Sequence, residues 1–276
     1  MTVTVAVFLF GLVVGSFLNV CIVRLPRGRS IATPPSHCPR CKAGIRFYDN
    51  IPIVSFLLLR GKCRKCGEPI SWRYPAVELM NALIYVWVAH EFWLGGEAFL
   101  IMALCSSLIV ITFIDYDHQI IPDVISLPGM VAGLILAPFF MSALSDPLPF
   151  HLGSLFPHAG PYLTAFLNSL IGLLLGGGPL FAIGWTWEKL RHVEAMGGGD
   201  IKLMGMVGSF LGWKSALLTI MIGALTGSIV GIGLIVLKRH RMEKIIPFGP
   251  FLAIGAIISA FYGPDILAWY LGLMRL

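Results

Sequence analysis

The chain has few charged residues for its length, and this shortage excludes an ordinary soluble domain. Only 12% of its 276 residues are charged, whereas 57% are hydrophobic. A soluble domain carries roughly a quarter charged residues. The apolar residues also run in long blocks, and about 20 consecutive apolar residues span the hydrocarbon core of a bilayer. Composition therefore predicts an integral membrane protein.

Eight apolar blocks predict an all-α polytopic membrane protein with about eight transmembrane helices. The blocks are 3–22, 75–94, 98–114, 124–144, 162–187, 201–213, 214–237 and 249–272. The first lacks the charged n-region and the small-residue cleavage site of a signal peptide, so we expect a retained span. The block 201–213 is short for a crossing, which favours a broken or re-entrant segment buried by its neighbours.

Lys and Arg are distributed unequally, and this predicts the orientation. The polar stretch 23–74 holds eleven of the 20 basic residues. With eight alternating spans, seven more fall on the same face, namely Lys189, Arg191, Lys202, Lys238, Arg239, Arg241 and Lys244. The positive face of a membrane protein is cytosolic. Both termini are therefore expected outside, and the net charge of +6 reports topology rather than nucleic acid binding.

The chain has only six cysteines, and four of them form two Cys-x-x-Cys pairs, Cys38 with Cys41 and Cys63 with Cys66. Two such pairs supply the four thiolates that a tetrahedral Zn²⁺ prefers, and a full sulfur set leaves no position for water. A glycine follows each pair, Gly44 and Gly67, and we expect it to let the backbone turn around the ion. The pattern predicts a structural Zn²⁺ that staples a loop domain with too small a core to fold unaided.

Disulfides or a thioredoxin-like redox pair are the alternatives for these cysteines. The predicted orientation places them in a reducing compartment, which disfavours structural disulfides. A redox pair needs a thioredoxin-type fold, and the sequence predicts none.

Carboxylates at the ends of two spans are the candidates for chemistry, because acidic residues are costly near the membrane core. Asp115, Asp117 and Asp123 follow the third block, and Asp200 precedes the sixth. In the eight-span arrangement both clusters lie at the cytosolic boundary. Two carboxylates that share a proton can hydrolyse a peptide bond, one as base and the other as acid. The glycines before Asp200, including Gly197 and Gly199, are expected to let a substrate backbone approach.

The partner of Asp200 stays open at this point. Asp115 and Asp117 are two residues apart and point to different sides of a helix, so they cannot pair with each other. Asp117 and His118 are alternatively solvated loop residues or a second metal site. Asp123 follows Pro122 and precedes an apolar run, which favours a helix N-cap.

The chain resembles the prepilin peptidases, the bifunctional leader peptidases and N-methyltransferases of type IV pili and type II secretion, over nearly its whole length. The matching motifs are, in order, 15–20, the two cysteine pairs around 50–55, 73–79, 115–123, 197–203 and 247–250. The resemblance implies that Asp115 and Asp200 are the catalytic pair, supported by Gly197 and Gly199. It also implies type IV prepilins or pseudopilins as substrates, cut after Gly at the cytosolic face of the bacterial inner membrane.

The resemblance further implies N-methylation of the new N-terminus from S-adenosylmethionine, with the zinc loop linked to this activity. We accordingly expect a first helix at 1–22, a zinc-binding domain at 23–74 and a peptidase domain at 75–276. No Gly-x-Gly-x-x-Gly motif follows a predicted strand, so the methyl donor is expected without a Rossmann domain. Gly61, Lys62 and Glu78 are its candidate residues. Alternatively, Gly61 is a turn and Glu78 a buried carboxylate paired with an arginine such as Arg73.

Three other classes remain as alternatives. A presenilin-like protease also has a Gly-x-Gly-Asp motif, but it cuts within the span and lacks a zinc-stapled loop. A zinc-loop assembly factor or a transporter would use the aspartates without hydrolysis. Replacing Asp115 or Asp200 by Asn distinguishes them, because only a peptidase loses substrate cleavage.

Overall fold

The regular structure is helical wherever the chain is described. The computed structural model describes residues 2–145, 156, 160–191, 197–237 and 246–274, and these ranges contain two isolated β-bridges and no strand. Its α-helices are α1 Thr2–Arg24, α2 Val54–Leu58, α3 Arg73–Glu91, α4 Gly96–His118, α5 Asp123–Phe140, α6 Pro161–Arg191, α7 Gly198–Val236 and α8 Gly249–Met274. The basic residues predicted at 238–244, and Arg275, lie outside the described ranges.

Six of the described helices, α1 and α4 to α8, are long and apolar enough to cross a membrane. Helix α3 does not qualify, because polar residues such as Glu78 and Asn81 interrupt its 19-residue length. The prediction of an all-helical, multi-pass membrane protein is confirmed for the described residues. The count of eight crossings stays a prediction.

Helix α7 combines the two blocks predicted at 201–213 and 214–237. It runs for 39 residues but is broken at Gly212, whose φ of 77° and ψ of 174° are not helical. On either side of the break, Met204 O and Ala216 Cβ lie 2.3 and 3.5 Å from the position of a Cβ on Gly176. A straight helix would separate residues 204 and 216 by about 18 Å. The chain therefore turns back at Gly212, and α7 consists of two arms.

Glycines set the closest helix contacts. A Cβ on Gly11 would lie 2.6 Å from Ala82 Cα, and one on Gly15 would lie 2.7 Å from Glu78 Cα, so both glycines press α1 against α3. A Cβ on Gly172 would lie 2.1 Å from Gly208 O, which brings α6 equally close to the first arm of α7. Small residues allow membrane helices to approach in this way.

The segment between α1 and α3 forms a small domain that contains α2 and all four paired cysteines. Phe56 is buried in it and packs on Trp72, with ring centroids 4.7 Å apart. The Ile53 N–H donates to Glu78 Oε2 at 2.8 Å. These two contacts attach the small domain to the start of α3.

Candidate functional site

Asp115 lies in the last turn of α4 and is only 6% exposed. Helix α4 ends when Gln119 adopts a left-handed conformation, and the Gln119 N–H donates to Asp115 O at 2.8 Å. The side-chain carboxylate of Asp115 accepts a bond at Oδ2 from the N–H of Gly249, the first residue of α8, at 3.0 Å. A Cβ on Gly249 would lie 2.6 Å from Oδ2, so this approach requires glycine. The start of α8 thus fixes the position of this carboxylate.

Asp200 lies in the first turn of α7, where its N–H donates to Gly197 O at 3.1 Å. Its carboxylate and that of Asp115 are close enough to interact electrostatically. The fold therefore brings together the end of α4 and the start of α7, which carry the two aspartates. Peptide hydrolysis by an acid and a base requires two carboxylates at one site.

Asp117, the other candidate partner of Asp200, pairs instead with Arg73 at the start of α3. Arg73 Nη2 also donates to Phe113 O at 3.0 Å, and its guanidinium lies 4.6 Å from the Phe113 ring centroid. Arg73 thus contacts α4 two residues before and two residues after Asp115. The alternative in which Arg73 pairs with Glu78 is wrong. No local sequence signal joins Arg73 to Asp117, since they lie on different helices.

The N-cap role predicted for Asp123 is also wrong. Helix α5 begins at Asp123 itself, Pro122 occupies the N-cap position, and no side chain caps the helix. The Asp123 carboxylate accepts bonds from Lys202 Nζ at 2.7 and 2.8 Å. Lys202 follows Asp200 by two residues, so this ion pair joins the start of α5 to the first turn of α7.

The two glycines predicted to support Asp200 have different surroundings. A Cβ on Gly199 would lie 2.8 Å from Ile121 Cβ, so glycine lets the first turn of α7 lie against the connection between α4 and α5. Gly197 has a φ of −64° and a ψ of 133°, which any residue adopts, and the space around its Cβ position is open. Packing accounts for Gly199, whereas Gly197 leaves room beside the aspartates.

The four paired cysteines form one cluster. Their sulfur atoms all lie within 4.8 Å of one another, and Cys38 Sγ is 3.8 Å from Cys66 Sγ. Sulfurs bound tetrahedrally to zinc at ~2.3 Å are about 3.8 Å apart. Both the donor set and its spacing therefore fit Zn²⁺. Among the described residues this is the only such group of three or more His, Cys, Asp or Glu side chains, so a second metal site at Asp117 and His118 is not found there.

The two cysteine pairs have the same local backbone. Cys38 N–H donates to Ala43 O, and Cys63 N–H donates to Glu68 O at the equivalent position. The left-handed residue after each pair is Lys42, with φ 58°, and Gly67, with φ 71°. Gly67 has the predicted role. The role predicted for Gly44 is wrong, because Lys42 makes the turn that Gly67 makes in the second pair.

Backbone N–H groups point at the first sulfur of each pair. Bonds from the N–H groups of Cys41 and Arg40 lower the pKa of Cys38 to about 6. The corresponding N–H groups of Cys66 and Lys65 lower the pKa of Cys63. These donors stabilise thiolates, the form of cysteine that binds a metal.

Ion pairs link the parts of the small domain around this cluster. Arg40 of the first cysteine pair bonds to Glu68, which follows the second. Arg64 donates three bonds to Asp49, at 2.6, 2.9 and 3.1 Å, and these lower the pKa of the Asp49 carboxyl. These side chains are partly exposed, so the ion pairs add little stability.

The three residues predicted for the methyl donor do not form a common cradle. Gly61 has a φ of 67°, and its Cβ position lies 3.1 Å from the Phe56 ring, as expected of a turn before the cysteine pair. Glu78 is 8% exposed and accepts the Ile53 N–H, so its carboxylate joins the small domain to α3. Lys62 is exposed. The assignment of these residues to methyl transfer stays a prediction.

Known proteins similar to this chain agree with the motifs. Residues 9–92 match the Bacterial Peptidase A24 N-terminal domain, and residues 102–232 match the Type IV leader peptidase family. A "Prepilin leader peptidase/N-methyltransferase" of Aeromonas hydrophila is 37% identical over 96% of this chain and 92% of its own length. Proteins with the same name from Pseudomonas aeruginosa and Myxococcus xanthus are 35% and 40% identical, over 95% and 82% of this chain and 91% and 62% of their own lengths.

No solved protein structure matches the chain at a significant level. The relatives are bacterial, and they cover both the cysteine pairs and the two aspartate motifs. This decides against the assembly-factor and transporter alternatives. The chain is a peptidase that belongs to the Type IV leader peptidase family.

Proposed function

We propose that this chain removes the leader peptide from type IV prepilins or pseudopilins, cutting after Gly, and then methylates the new N-terminal residue. The observation that carries the proposal is the approach of Asp115 and Asp200 in a chain whose relatives are named prepilin leader peptidase/N-methyltransferase over nearly their whole length. The other two carboxylates of these motifs, Asp117 and Asp123, form ion pairs with basic residues, so neither is given a role in the reaction.

The proposed location is the bacterial inner membrane, with both termini outside and the cysteine cluster and aspartates at the cytosolic face. Eight membrane-level segments result when α3 is counted with the six apolar helices and α7 is counted as two arms. Supporting this count, α3 packs closely on α1 at Gly11 and Gly15, and α7 reverses at Gly212. The domain division is 1–22, 23–74 and 75–276, as the sequence predicts.

Asp115 is the proposed base. Its Oδ2 accepts the N–H of Gly249 at the start of α8, and the N-terminus of a helix favours a negatively charged partner. As a carboxylate, Asp115 takes a proton from water, and the oxygen of that water attacks the carbonyl carbon of the scissile bond. Asp200, which holds the shared proton, donates it to the carbonyl oxygen.

Breakdown of the resulting tetrahedral intermediate completes the hydrolysis. The carbonyl re-forms as its hydroxyl proton returns to Asp200, and the C–N bond breaks. The nitrogen takes the proton that Asp115 received from water. Water is thus divided between the two products, the hydroxyl on the leader carboxylate and the proton on the new amine. The open space at Gly197 is where an extended substrate backbone approaches the aspartates.

Methyl transfer is assigned to the small domain and the adjacent start of α3, with Gly61, Lys62 and Glu78 as the candidate residues. S-adenosylmethionine, when bound, supplies the methyl group. Of the three candidates, only Lys62 has an exposed side chain. The structural Zn²⁺, held by Cys38, Cys41, Cys63 and Cys66, keeps this domain folded and takes no part in the chemistry.

The test is co-expression of the chain with a type IV prepilin, followed by intact mass measurement of the pilin. Wild type should remove the leader and add one methyl group, whereas Asp115→Asn and Asp200→Asn should each lower cleavage by on the order of 10³-fold. Asp49→Asn is the matched control, because its carboxylate pairs with Arg64 within the small domain. Processing by a folded Asp115→Asn or Asp200→Asn protein at the wild-type rate would refute the assigned pair.

A further inference from the structure

Helix α2 presents an apolar face to its surroundings. Ser55 and Phe56 point inward and are buried, whereas Val54, Leu57 and Leu58 are 48%, 62% and 78% exposed. The last three residues have i, i+3 and i+4 spacing, so they lie on one side of the helix. We call Val54, Leu57 and Leu58 the α2 face. A contiguous apolar surface of this kind marks a contact with another molecule or with lipid.

The position of α2 along the transmembrane helices indicates what covers this face. Ile53, the residue before α2, donates its N–H to Glu78 of α3. Glu78 Cα lies 2.7 Å from the Cβ position of Gly15 in α1, so it is level with Gly15. Gly15 precedes Arg24, the last residue of α1, by nine residues, or about 14 Å of helix. The Glu78 side chain can span only part of this distance. The start of α2 therefore lies deeper in the membrane than the end of α1.

Charge at the edge of the α2 face agrees with this depth. Arg60 and Lys62 follow α2 directly and are exposed. Trp72 is 73% exposed beside Arg73, at the first turn of α3. Tryptophan and basic residues collect where a membrane protein meets the headgroups, and basic residues attract anionic lipid.

We propose that the α2 face docks into the acyl region of the adjacent leaflet, with Arg60 at anionic phospholipid headgroups. The small zinc domain is then held against the bilayer by lipid as well as by Glu78 and Trp72. This inference goes beyond the proposed function and does not depend on it, because it concerns a surface outside the aspartate pair. A substrate polypeptide would also bury an apolar face, but the depth and the flanking basic residues favour lipid.

The test uses photocrosslinking in the full-length chain. Leu58 is replaced by p-benzoylphenylalanine, and the protein is reconstituted in nanodiscs of phosphatidylethanolamine and phosphatidylglycerol. Lys65, exposed in the second cysteine pair, carries the same group in the matched control. After irradiation, intact mass spectrometry should show a phospholipid adduct at position 58 at least several-fold more abundant than at position 65.

Three results would overturn the proposal. The first is an equal yield of lipid adduct at the two positions, and the second is no lipid adduct at position 58. The third is a crosslink from position 58 to a co-reconstituted prepilin in place of lipid. The last result would assign the face to substrate. Zinc content of each purified protein reports whether the small domain is intact. If replacement of Leu58 releases the metal, the same comparison is made with the group at Leu57, on the same face.

Discussion

Arg73, the first residue of α3, forms an ion pair with Asp117 in the last turn of α4. The same guanidinium donates to Phe113 O at 3.0 Å. These two contacts lie on either side of Asp115, whose carboxylate must face both Gly249 and Asp200 for the proposed chemistry. Arg73 therefore acts as a positioning residue that fixes the rotation of this turn.

Replacing Arg73 by Lys should lower kcat for leader cleavage about tenfold and leave KM nearly unchanged, since a coupling of ~1.4 kcal/mol corresponds to this factor. Lysine retains the charge but cannot bond Asp117 and Phe113 O together. In a double-mutant cycle, Asp117→Asn should add little to Arg73→Lys. Lys65→Gln, a basic residue remote from α4, is the control. Additive effects of the two changes, or an unchanged kcat, would contradict a positioning role.

The sequence predicts residues that stand in a motif, but it does not predict which side chains they contact in the folded protein. Asp115 and Asp200 are predicted as the pair by the resemblance, because each stands in a family motif at the boundary of an apolar run, whereas the apolar pattern alone leaves Asp115 and Asp117 open. The partners of Arg73 and Lys202 cannot be recognised in this way, because each pair joins two helices that meet only in the folded protein. Such pairings depend on distances that no local pattern encodes.

Backbone conformation gives a second example. The glycine after the first cysteine pair suggested a turn at Gly44, but Lys42 adopts the left-handed conformation. The backbone hydrogen bonds of Cys38 with Lys42 and Ala43 override the preference of Lys for negative φ. At Gly212, by contrast, the reversal lies beside the boundary predicted between the blocks 201–213 and 214–237, and a glycine there adopts the positive φ.

The two glycines before Asp200 should respond differently to alanine. Gly199→Ala places a methyl group 2.8 Å from Ile121 Cβ, so the first turn of α7 must shift. A displacement near 1 Å at a catalytic group lowers the rate by on the order of 10²-fold. Gly197→Ala has an allowed backbone and open space, so it should keep the melting temperature and raise KM. Cleavage kinetics and thermal unfolding of both variants check this. Equal losses of kcat would contradict the distinction.

Zinc retention should follow backbone conformation at the two knuckles. A left-handed backbone costs a non-glycine residue ~1–2 kcal/mol, so Gly67→Ala should accelerate metal loss to a chelator and Lys42→Gly should slow it. Gly44→Ala should have little effect, because Gly44 has no positive φ and open space around its Cβ position. Elemental analysis should give about one zinc per chain, the number that four thiolates bind. Faster loss from Gly44→Ala than from Gly67→Ala would contradict the assignment of the turns.

Cleavage and methylation should be separable, because the aspartates and the small domain lie on different elements. Asp200→Ala removes the proposed acid from α7 but leaves the contacts of the small domain with α3, through Ile53 and Trp72, intact. This variant should therefore fail to cut a prepilin yet methylate a pilin that is already cut. Lys62→Gln should show the opposite behaviour, with Lys65→Gln as its matched control. Transfer of labelled methyl groups to pre-cut pilin, measured beside leader release, distinguishes the two activities. If a folded Asp200→Ala protein also fails on pre-cut pilin, both reactions use one shared site and the two-site arrangement is wrong.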